Sequence, residues 1–156
     1  MSRPPIAVAD ASPLIAFDQI GKLDLLPQLF SKVVIPPAVA EEAFTGRTVP
    51  PWLRVIGPGS PLVIAASLGR GEQQAIALAL KHAGAWIVLD DLAARRLAAR
   101  EGLRVIGTVG LLLAAKSRGL IGATRPLLDI LDARGFRLSA AIRSTALQAA
   151  GEIEPD

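Results

Sequence analysis

The sequence contains no cysteine and a single histidine, His82, among its 156 residues. The absence of cysteine excludes disulfides, zinc–thiolate sites and thiol nucleophiles. One histidine cannot build a multi-histidine metal site. Any metal bound by this chain must therefore be held by oxygen ligands, which favours Mg²⁺ or Mn²⁺.

The sequence also lacks a hydrophobic run long enough to cross a membrane. Its longest uncharged run, residues 55–69, is interrupted by prolines and glycines, whereas a transmembrane helix needs roughly 20 apolar residues. The N-terminal stretch "MSRPPIAVAD" reaches an aspartate before an apolar signal-peptide region can form. We therefore expect no membrane association and a cytoplasmic location.

The charge of the chain is mild, and its positive part is mostly arginine. The formal net charge is +3 at pH 7, and the planar guanidinium of arginine suits phosphate groups. This composition permits a nucleic-acid partner without requiring one. An apolar fraction of 51% argues against disorder.

Short apolar runs alternate with helical patterns along the chain. Strands are predicted at residues 6–9, 32–35, 86–89 and 103–106, with an edge strand at 53–56. Thr108 is predicted to cap the helix that follows the last of them. The alternation predicts an α/β fold, a three-layer α/β/α sandwich with a mostly parallel central sheet. We expect one domain over residues 1–156, with the sheet and the candidate site in 1–122 and further helices in 123–156.

Oxygen-bearing side chains fall where three of these strands end. Asp10 follows the first strand, and Asp90 and Asp91 follow the "WIVL" strand. Thr108 follows the "LRVI" strand in the same way. Because ligand sites of open α/β sheets lie at the carboxyl ends of the strands, these residues are predicted to meet at one edge.

Two helical glutamates can reach the same edge. Glu42 lies in the "AVAEEAF" helix, and Glu72 occupies the first turn of the "GEQQAIALAL" helix. Glu72 shares a face with Ile76 and Leu80 at i, i+4 spacing, so it is predicted to point toward the interior or a cleft. Converging carboxylates repel one another, and a divalent cation removes that cost. The pattern therefore predicts a metal site that activates water for attack on a phosphodiester.

Each acidic residue also has an ordinary structural explanation when it is considered alone. Asp10, or one member of the Asp90–Asp91 pair, could cap a helix. Glu72 is favourable at a helix N-terminus, and Glu42, with its neighbour in the "EE" pair, could form a solvated helix face. The convergence of all these acids at one sheet edge favours a functional site.

A run of arginines follows the paired aspartates. Arg95, Arg96 and Arg100 lie on one predicted helix. They could form a solvated face of that helix. The functional alternative is a weak grip by Arg95 and Arg96 on RNA phosphates.

Five segments of the sequence, taken in order, resemble the PIN domain family. They are "VADASPLIAF", "VVIPPAVAEEAF", "GRGEQQAIALAL", "WIVLDDLAARRLA" and "RVIGTVGLLLAAKSRGLI". The resemblance extends to the closing "GFRLS" and is narrowest to the compact prokaryotic branch related to VapC-type toxins. It implies an α/β/α fold, an acidic Mg²⁺ or Mn²⁺ pocket and single-strand endoribonuclease activity. It also implies a small cognate antitoxin as partner, and a homodimer.

The resemblance implies roles for individual residues. The acidic positions of the family correspond to Asp10, Glu42 (rather than Glu41), Glu72 and Asp91. Asp90, next to the last acid, is a further candidate metal ligand or a support for it. Ser12 and Thr108 match hydroxyl residues near the pocket. Where a Thr-x-Asp motif usually ends the fourth strand, this chain has Leu89, Asp90 and Asp91.

Two other functions remain open at this stage. A phosphotransfer or receiver-like domain also places an aspartate after a strand, but it usually needs a lysine after a late strand, where "RVIGTVG" has none. A PIN-like scaffold could bind RNA or a protein without cutting. That alternative predicts RNA binding that persists without metal and survives Asp10→Asn.

Overall fold

Five strands form the central sheet in the computed structural model of the protein, which describes residues 6–58 and 67–154. They are β1 (Ala7–Ala9), β2 (Val33–Ile35), β3 (Leu53–Val55), β4 (Trp86–Val88) and β5 (Arg104–Ile106). Their order is β3-β2-β1-β4-β5, and all neighbours pair in parallel. The predicted parallel sheet, with β3 at an edge, is confirmed.

Eight helices surround this sheet in the described ranges. They are α1 (Ala11–Gln19), α2 (Leu25–Leu29), α3 (Pro37–Phe44), α4 (Arg70–Leu80), α5 (Leu92–Arg100), α6 (Thr108–Ser117), α7 (Arg125–Ala133) and α8 (Ala140–Ala149). Prolines in the first turns of α3 and α7 suit positions whose N–H groups have no partner inside the helix. Within residues 6–58 and 67–154, no helix is both long and apolar enough to span a bilayer.

The strands divide their side chains between two hydrophobic layers. Ala7 and Ala9 of β1 belong to one buried cluster and Val8 to the other, as the twofold period of a strand dictates. The first cluster is covered by helices that include α1 and α6, and the second by α4 and α5. Phe17 of α1 is fully buried in the first, and burying such a side chain contributes about 1.5–3 kcal/mol. The predicted three-layer α/β/α architecture is confirmed.

The strand order brings the first and fourth strands side by side. The chain runs outward from β1 to β2 and β3, crosses back through α4, and continues with β4 and β5. Ala9 pairs with Val88, and Val88 pairs with Ile106, so these strands end at the same level. The Asp10 N–H donates to the Val88 carbonyl at 2.9 Å. The order reverses between β1 and β4, which is where open α/β sheets bind their ligands.

Helix α6 begins differently from the sequence prediction. Gly107 holds the N-cap position, and Thr108 is the first helical residue. The Thr108 N–H donates to Asp90 Oδ1 at 2.8 Å, and its hydroxyl donates to Asp90 Oδ2 at 2.6 Å. The prediction that Thr108 caps the helix was wrong because a carboxylate from the neighbouring strand end takes that place. A contact between strand ends cannot be inferred from a local capping pattern.

Glu152, which follows α8, links the end of the described chain to two other helices. Its Oε2 accepts hydrogen bonds from Lys116 Nζ at 3.1 Å, from the Thr124 N–H at 2.8 Å and from the Thr124 hydroxyl at 2.6 Å. Its Oε1 accepts from the Arg125 N–H at 2.9 Å. Burial acts to raise the pKa of Glu152, but these hydrogen bonds outweigh it and lower the pKa to about 2. The carboxylate thus satisfies the first amides of α7 and fixes α8 against α6.

Candidate functional site

A cleft of about 1060 Å³ opens at the switch point between β1 and β4. Asp10, Asp90 and Asp91 from the strand ends line it, and so does Glu72 from the first turn of α4. We call this space the acidic cleft. Its walls are completed by α5, by the start of α6, and by the connection between α7 and α8. The three strand-end aspartates predicted to meet at one sheet edge therefore share one cavity.

Glu42 reaches the same group of acids from α3. A methyl group built at Gly71 would lie 3.5 Å from Glu42 Oε1 and 3.6 Å from Asp10 Oδ1. The carboxylates of Glu42 and Asp10 therefore both lie beside the start of α4, at ordinary van der Waals distance from this position. Glu42 lines a smaller adjoining space of about 260 Å³, the side pocket, which shares Ser12 with the acidic cleft. Glu41 instead points to solvent and pairs with Arg70 at 3.3 Å.

The carboxylates of this group repel one another. Burial raises the pKa of Asp10 to about 6, opposed by the Ala11 N–H and reinforced by the charges of Glu42, Asp90 and Asp91. Burial likewise raises the pKa of Glu72 to about 7, helped by the charges of Asp10, Asp91 and Glu42. Among the described residues, none of these five acids forms a salt bridge. The group therefore carries negative charge without a paired cation.

The surroundings of Glu72 match the sequence prediction only in part. Ile76, one turn along α4, is fully buried, as the predicted apolar stripe requires. Leu80, one turn further, is 37% exposed, so the stripe does not continue to the end of the helix. The helix ends at Leu80.

A hydrogen-bonded unit holds the Asp90 carboxylate in place. Both of its oxygens accept hydrogen bonds from Thr108, which is fully buried. Arg95 Nη1 donates to the Leu89 carbonyl at 3.0 Å beside it. A methyl group built at Gly107 would lie 2.9 Å from Asp90 Oδ1 and would collide with Arg95 Nη1. Only glycine fits between these side chains without displacing one of them.

Asp91 caps α5 with one of its oxygens. Its Oδ2 accepts a hydrogen bond from the Ala94 N–H at 2.9 Å, and Asp91 occupies the N-cap position. Asp91 is therefore the member of the pair that caps the helix, because Asp90 is turned toward Thr108. No hydrogen bond to Oδ1 of Asp91 is found within the described part of the chain, and this oxygen remains available at the cleft.

The donor set suits a hard divalent cation, because it consists of carboxylate oxygens alone. In residues 6–58 and 67–154, however, no three acidic or histidine side chains already form a closed set around one point. Mutually repelling carboxylates stand apart, and a cation is what would draw them together. The chemistry of the site therefore fits Mg²⁺ or Mn²⁺.

Not all of the remaining predicted site residues lie at the acidic cleft. Ser12 is exposed and lines the acidic cleft, as does the half-buried Arg95. Arg96 is exposed on α5 and is not part of the cleft wall. Thr108 contacts the cleft through Asp90 rather than directly. Of the two arginines suggested for phosphate binding, only Arg95 lies at the site.

Sequence reasoning missed one wall of the cleft. Gly135, Phe136, Arg137 and Leu138, from the connection between α7 and α8, lie across from the strand ends. Their signal is the "GFRLS" segment, in which an arginine and an aromatic residue stand between two helices. Nothing local to that segment indicates which part of the fold it covers.

The geometry agrees with the comparison to protein families. A family model described as a PIN domain matches residues 6–152. No curated protein and no solved structure gives a significant match to the chain. PIN domains are generally nucleases that use divalent metals, and the cleft at the switch point provides the acidic residues for such chemistry. The chain belongs to the PIN domain family, a nuclease fold.

Proposed function

We propose that this protein is a metal-dependent single-strand endoribonuclease and the toxin of a type II toxin–antitoxin pair. The observation that carries the nuclease proposal is the group of five carboxylates without salt bridges at the switch point of a PIN fold. Such a group is costly unless it binds a cation. The toxin assignment is supported by the resemblance to VapC-type sequences.

The acidic residues divide into those that would hold the ion and those that support them. Asp10, Glu72 and Asp91 would hold Mg²⁺ or Mn²⁺, and Asp90, anchored by Thr108, would complete or support the set. A bound ion would supply positive charge for the phosphodiester and would lower the pKa of the attacking water. Burial of Asp10 at the end of β1 keeps its carboxylate fixed with respect to the sheet.

Two further side chains act on water and substrate. Glu42 is exposed, and no hydrogen bond to its carboxylate is found in the described residues. In the proposed mechanism its carboxylate would accept a hydrogen bond from the attacking water and orient it. Arg95 is fixed by its bond to the Leu89 carbonyl, which leaves its other N–H groups free to donate to phosphate oxygens. Arg96, being exposed outside the cleft, would contribute a weaker contact.

The first test is cleavage of a mixed pool of structured RNAs by purified protein. Cleavage is expected with Mn²⁺ or Mg²⁺, and it should disappear in EDTA and in Asp10→Asn. Asp24→Asn is the matched control, because Asp24 is an exposed aspartate in front of α2, away from the cleft. Cleavage that survives Asp10→Asn, or that proceeds in EDTA, would refute the proposal.

The toxin role and the partners need separate measurements. Induced expression should arrest bacterial growth, and Asp10→Asn should relieve the arrest while Asp24→Asn should not. Normal growth together with RNA cleavage in vitro would contradict the toxin role alone. Light scattering is expected to give a homodimer, about twice the chain mass of 16.3 kDa. If a candidate small protein is the cognate antitoxin, its co-expression should relieve the growth arrest.

A scaffold that binds RNA without cutting is the second candidate. It is favoured by two contacts: Thr108 engages both oxygens of Asp90, and the Ala94 N–H engages one oxygen of Asp91. Both aspartates thus have structural partners. This alternative predicts RNA binding that is equal in EDTA and in Mn²⁺, and unchanged by Asp10→Asn.

The strand order argues against the phosphotransfer alternative. Receiver-like domains order their strands 2-1-3-4-5, whereas this sheet has the order β3-β2-β1-β4-β5. The acidic cleft also has no lysine in its wall as far as the structure describes it. The residues that such chemistry needs are therefore not brought together here.

A further inference from the structure

We propose that the connection between α7 and α8, residues 134–139, is a clamp for single-stranded RNA. In this clamp Phe136 stacks on an unpaired base, while Arg137 and Arg134 bind phosphates on its two sides. This inference rests on the proposed function, because it describes how the substrate is held in the same cleft. It adds residues from a part of the chain that carries none of the proposed metal ligands.

The position of the connection is the first argument. Gly135, Phe136 and Arg137 line the acidic cleft, and Gly135 and Phe136 also line the side pocket together with Arg134. Phe136 therefore lies, with Ser12 and Gly135, where the two spaces adjoin. An RNA strand that runs from the carboxylates into the side pocket would pass beside this ring.

The connection is held in a defined shape. Gly135 adopts a φ of +88°, which ends α7, and its N–H donates to the Asp132 carbonyl at 3.2 Å. The Phe136 N–H donates to the Leu131 carbonyl at 2.9 Å. These two bonds form a Schellman motif, which fixes the residue after the glycine. Phe136 is half-buried against the first hydrophobic cluster, so a base that stacks on its open side meets a preformed surface.

The charges of the connection are the second argument. Arg134 and Arg137 are exposed, and neither side chain forms a hydrogen bond or ion pair with any described residue. Arg143, nearby in α8, instead pairs with Asp129 and Asp132. The other arginine of the cleft, Arg95, already donates to a carbonyl.

The free guanidinium groups of Arg134 and Arg137 provide the positive charge that an RNA strand needs near this acidic site. A cleft that contains several carboxylates repels a polyphosphate chain, so the substrate needs cationic contacts beside the metal. Arg137 supplies one on the cleft side of Phe136, and Arg134 supplies one on the side of the side pocket. Arginine suits phosphate at both positions better than lysine would, because its planar guanidinium can donate two hydrogen bonds to one phosphate group.

The clamp determines the class of substrate. Stacking on Phe136 requires a base whose face is open, and a double helix hides the faces of its bases. The expected substrate is therefore an unpaired stretch of RNA in which at least one base beside the cut is free. Loops and single-stranded regions meet this condition, and helical stems do not.

The test is binding of a fluorescein-labelled, unstructured oligoribonucleotide of about 12 nucleotides. Binding is followed by anisotropy with Mn²⁺ in the Asp10→Asn background, which should not cut it, over about 50–300 mM salt. Arg137→Gln should weaken binding and make the slope of log K against log salt shallower by about 0.7, since one phosphate contact is lost. Arg125→Gln, at the other end of α7, is the matched control and should leave the slope unchanged.

Phe136 needs variants that separate stacking from packing. Phe136→Leu keeps an apolar side chain against the hydrophobic cluster, and it should weaken binding on the order of tenfold with the salt slope unchanged. Phe136→Tyr keeps the ring and should bind as the unsubstituted protein does. If affinity follows the melting temperature of these variants rather than the presence of a ring, Phe136 only packs, and the clamp is refuted.

The outcomes also distinguish this inference from the proposed function. Altered binding in the Phe136 and Arg137 variants supports the clamp even if the protein with Asp10 intact cuts no RNA under any metal. Cleavage by the intact protein, with binding unaffected by both substitutions, overturns the clamp and leaves the nuclease proposal standing. If Phe136→Leu weakens binding to a double-stranded RNA of the same sequence by the same factor, the stacking role is also contradicted.

Discussion

Replacing Glu152 by glutamine should destabilise the protein without changing the acidic cleft. Glutamine keeps the shape of the side chain but has only one oxygen. With that oxygen in the place of Oε2, its amino group faces the Arg125 N–H, so this hydrogen bond is lost. The bonds from Lys116 and Thr124 lose their charged acceptor. Folding lowers the pKa of the carboxyl from 4.5 to about 2, which puts the total loss at about 3 kcal/mol. This corresponds to a Tm lower by about 6–12 °C.

The loss should depend on pH, because folding lowers the pKa of Glu152 from 4.5 to about 2. A carboxylate with a lowered pKa contributes stability that is fully present above the unfolded pKa and is lost as the pH falls through the folded one. The difference in unfolding free energy between the unsubstituted protein and Glu152→Gln should be largest above about pH 5 and fall to roughly half or less by about pH 3. Thermal unfolding followed by circular dichroism measures it, with the exposed Glu154→Gln as control. A Tm difference below about 2 °C at neutral pH, or one that persists undiminished in acid, would refute the reasoning.

Three further predictions concern the cleft and the core. Gly107→Ala would push a methyl group into the Asp90 and Arg95 side chains, so RNA cleavage should fall on the order of tenfold or more. The control is Gly122→Ala, whose methyl group would face open space, and this variant should cleave RNA normally. Leu128→Ala should cost about 2–5 kcal/mol in chemical denaturation, since Leu128 is 1% exposed, and a loss no larger than that of Ile130→Ala, on the exposed side of the same helix, would contradict the core assignment. Because the pKa of Asp10 is raised to about 6, the metal-free protein should lose stability as the pH rises through 6. Mn²⁺ should restore the Tm at neutral pH. If calorimetry shows that Mn²⁺ raises the Tm of Asp10→Asn by the same amount, this carboxylate does not bind the ion.

Most of the secondary structure could be predicted because its signals are local. The "VVI" and "WIVL" runs are apolar throughout, as strands covered on both faces must be, and both form strands. A serine directly before a helical pattern favours an N-cap, and the Ser139 hydroxyl accepts a hydrogen bond from the Ile142 N–H at 3.1 Å. Glycine favours the end of a helix, and Gly84 and Gly102, which follow α4 and α5, have positive φ angles. These features depend on a few neighbouring residues, which the sequence contains.

The placement of acids at strand ends could also be predicted, but their individual contacts could not. Asp10 and Asp90 follow strands in the sequence, and parallel strands bring their carboxyl ends to one edge. Whether Asp90 or Asp91 caps α5 depends on Thr108, which lies one strand further along the chain. Asp90 and Asp91 are chemically identical and could each cap α5. The hydrogen bonds from Thr108 hold Asp90 and leave the cap to Asp91.

By itself, the sequence determined the alternation of strands and helices, the all-oxygen chemistry of the site and the acids that could form it. The tertiary structure alone decided that β1 and β4 are neighbours, that Glu42 and Asp10 both lie beside Gly71, and that the connection at Phe136 lines the cleft. The reason is physical: periodicity and capping arise from interactions over a few residues. The shape of the cleft depends on contacts between segments far apart in the chain, and such contacts exist only once the sheet is assembled.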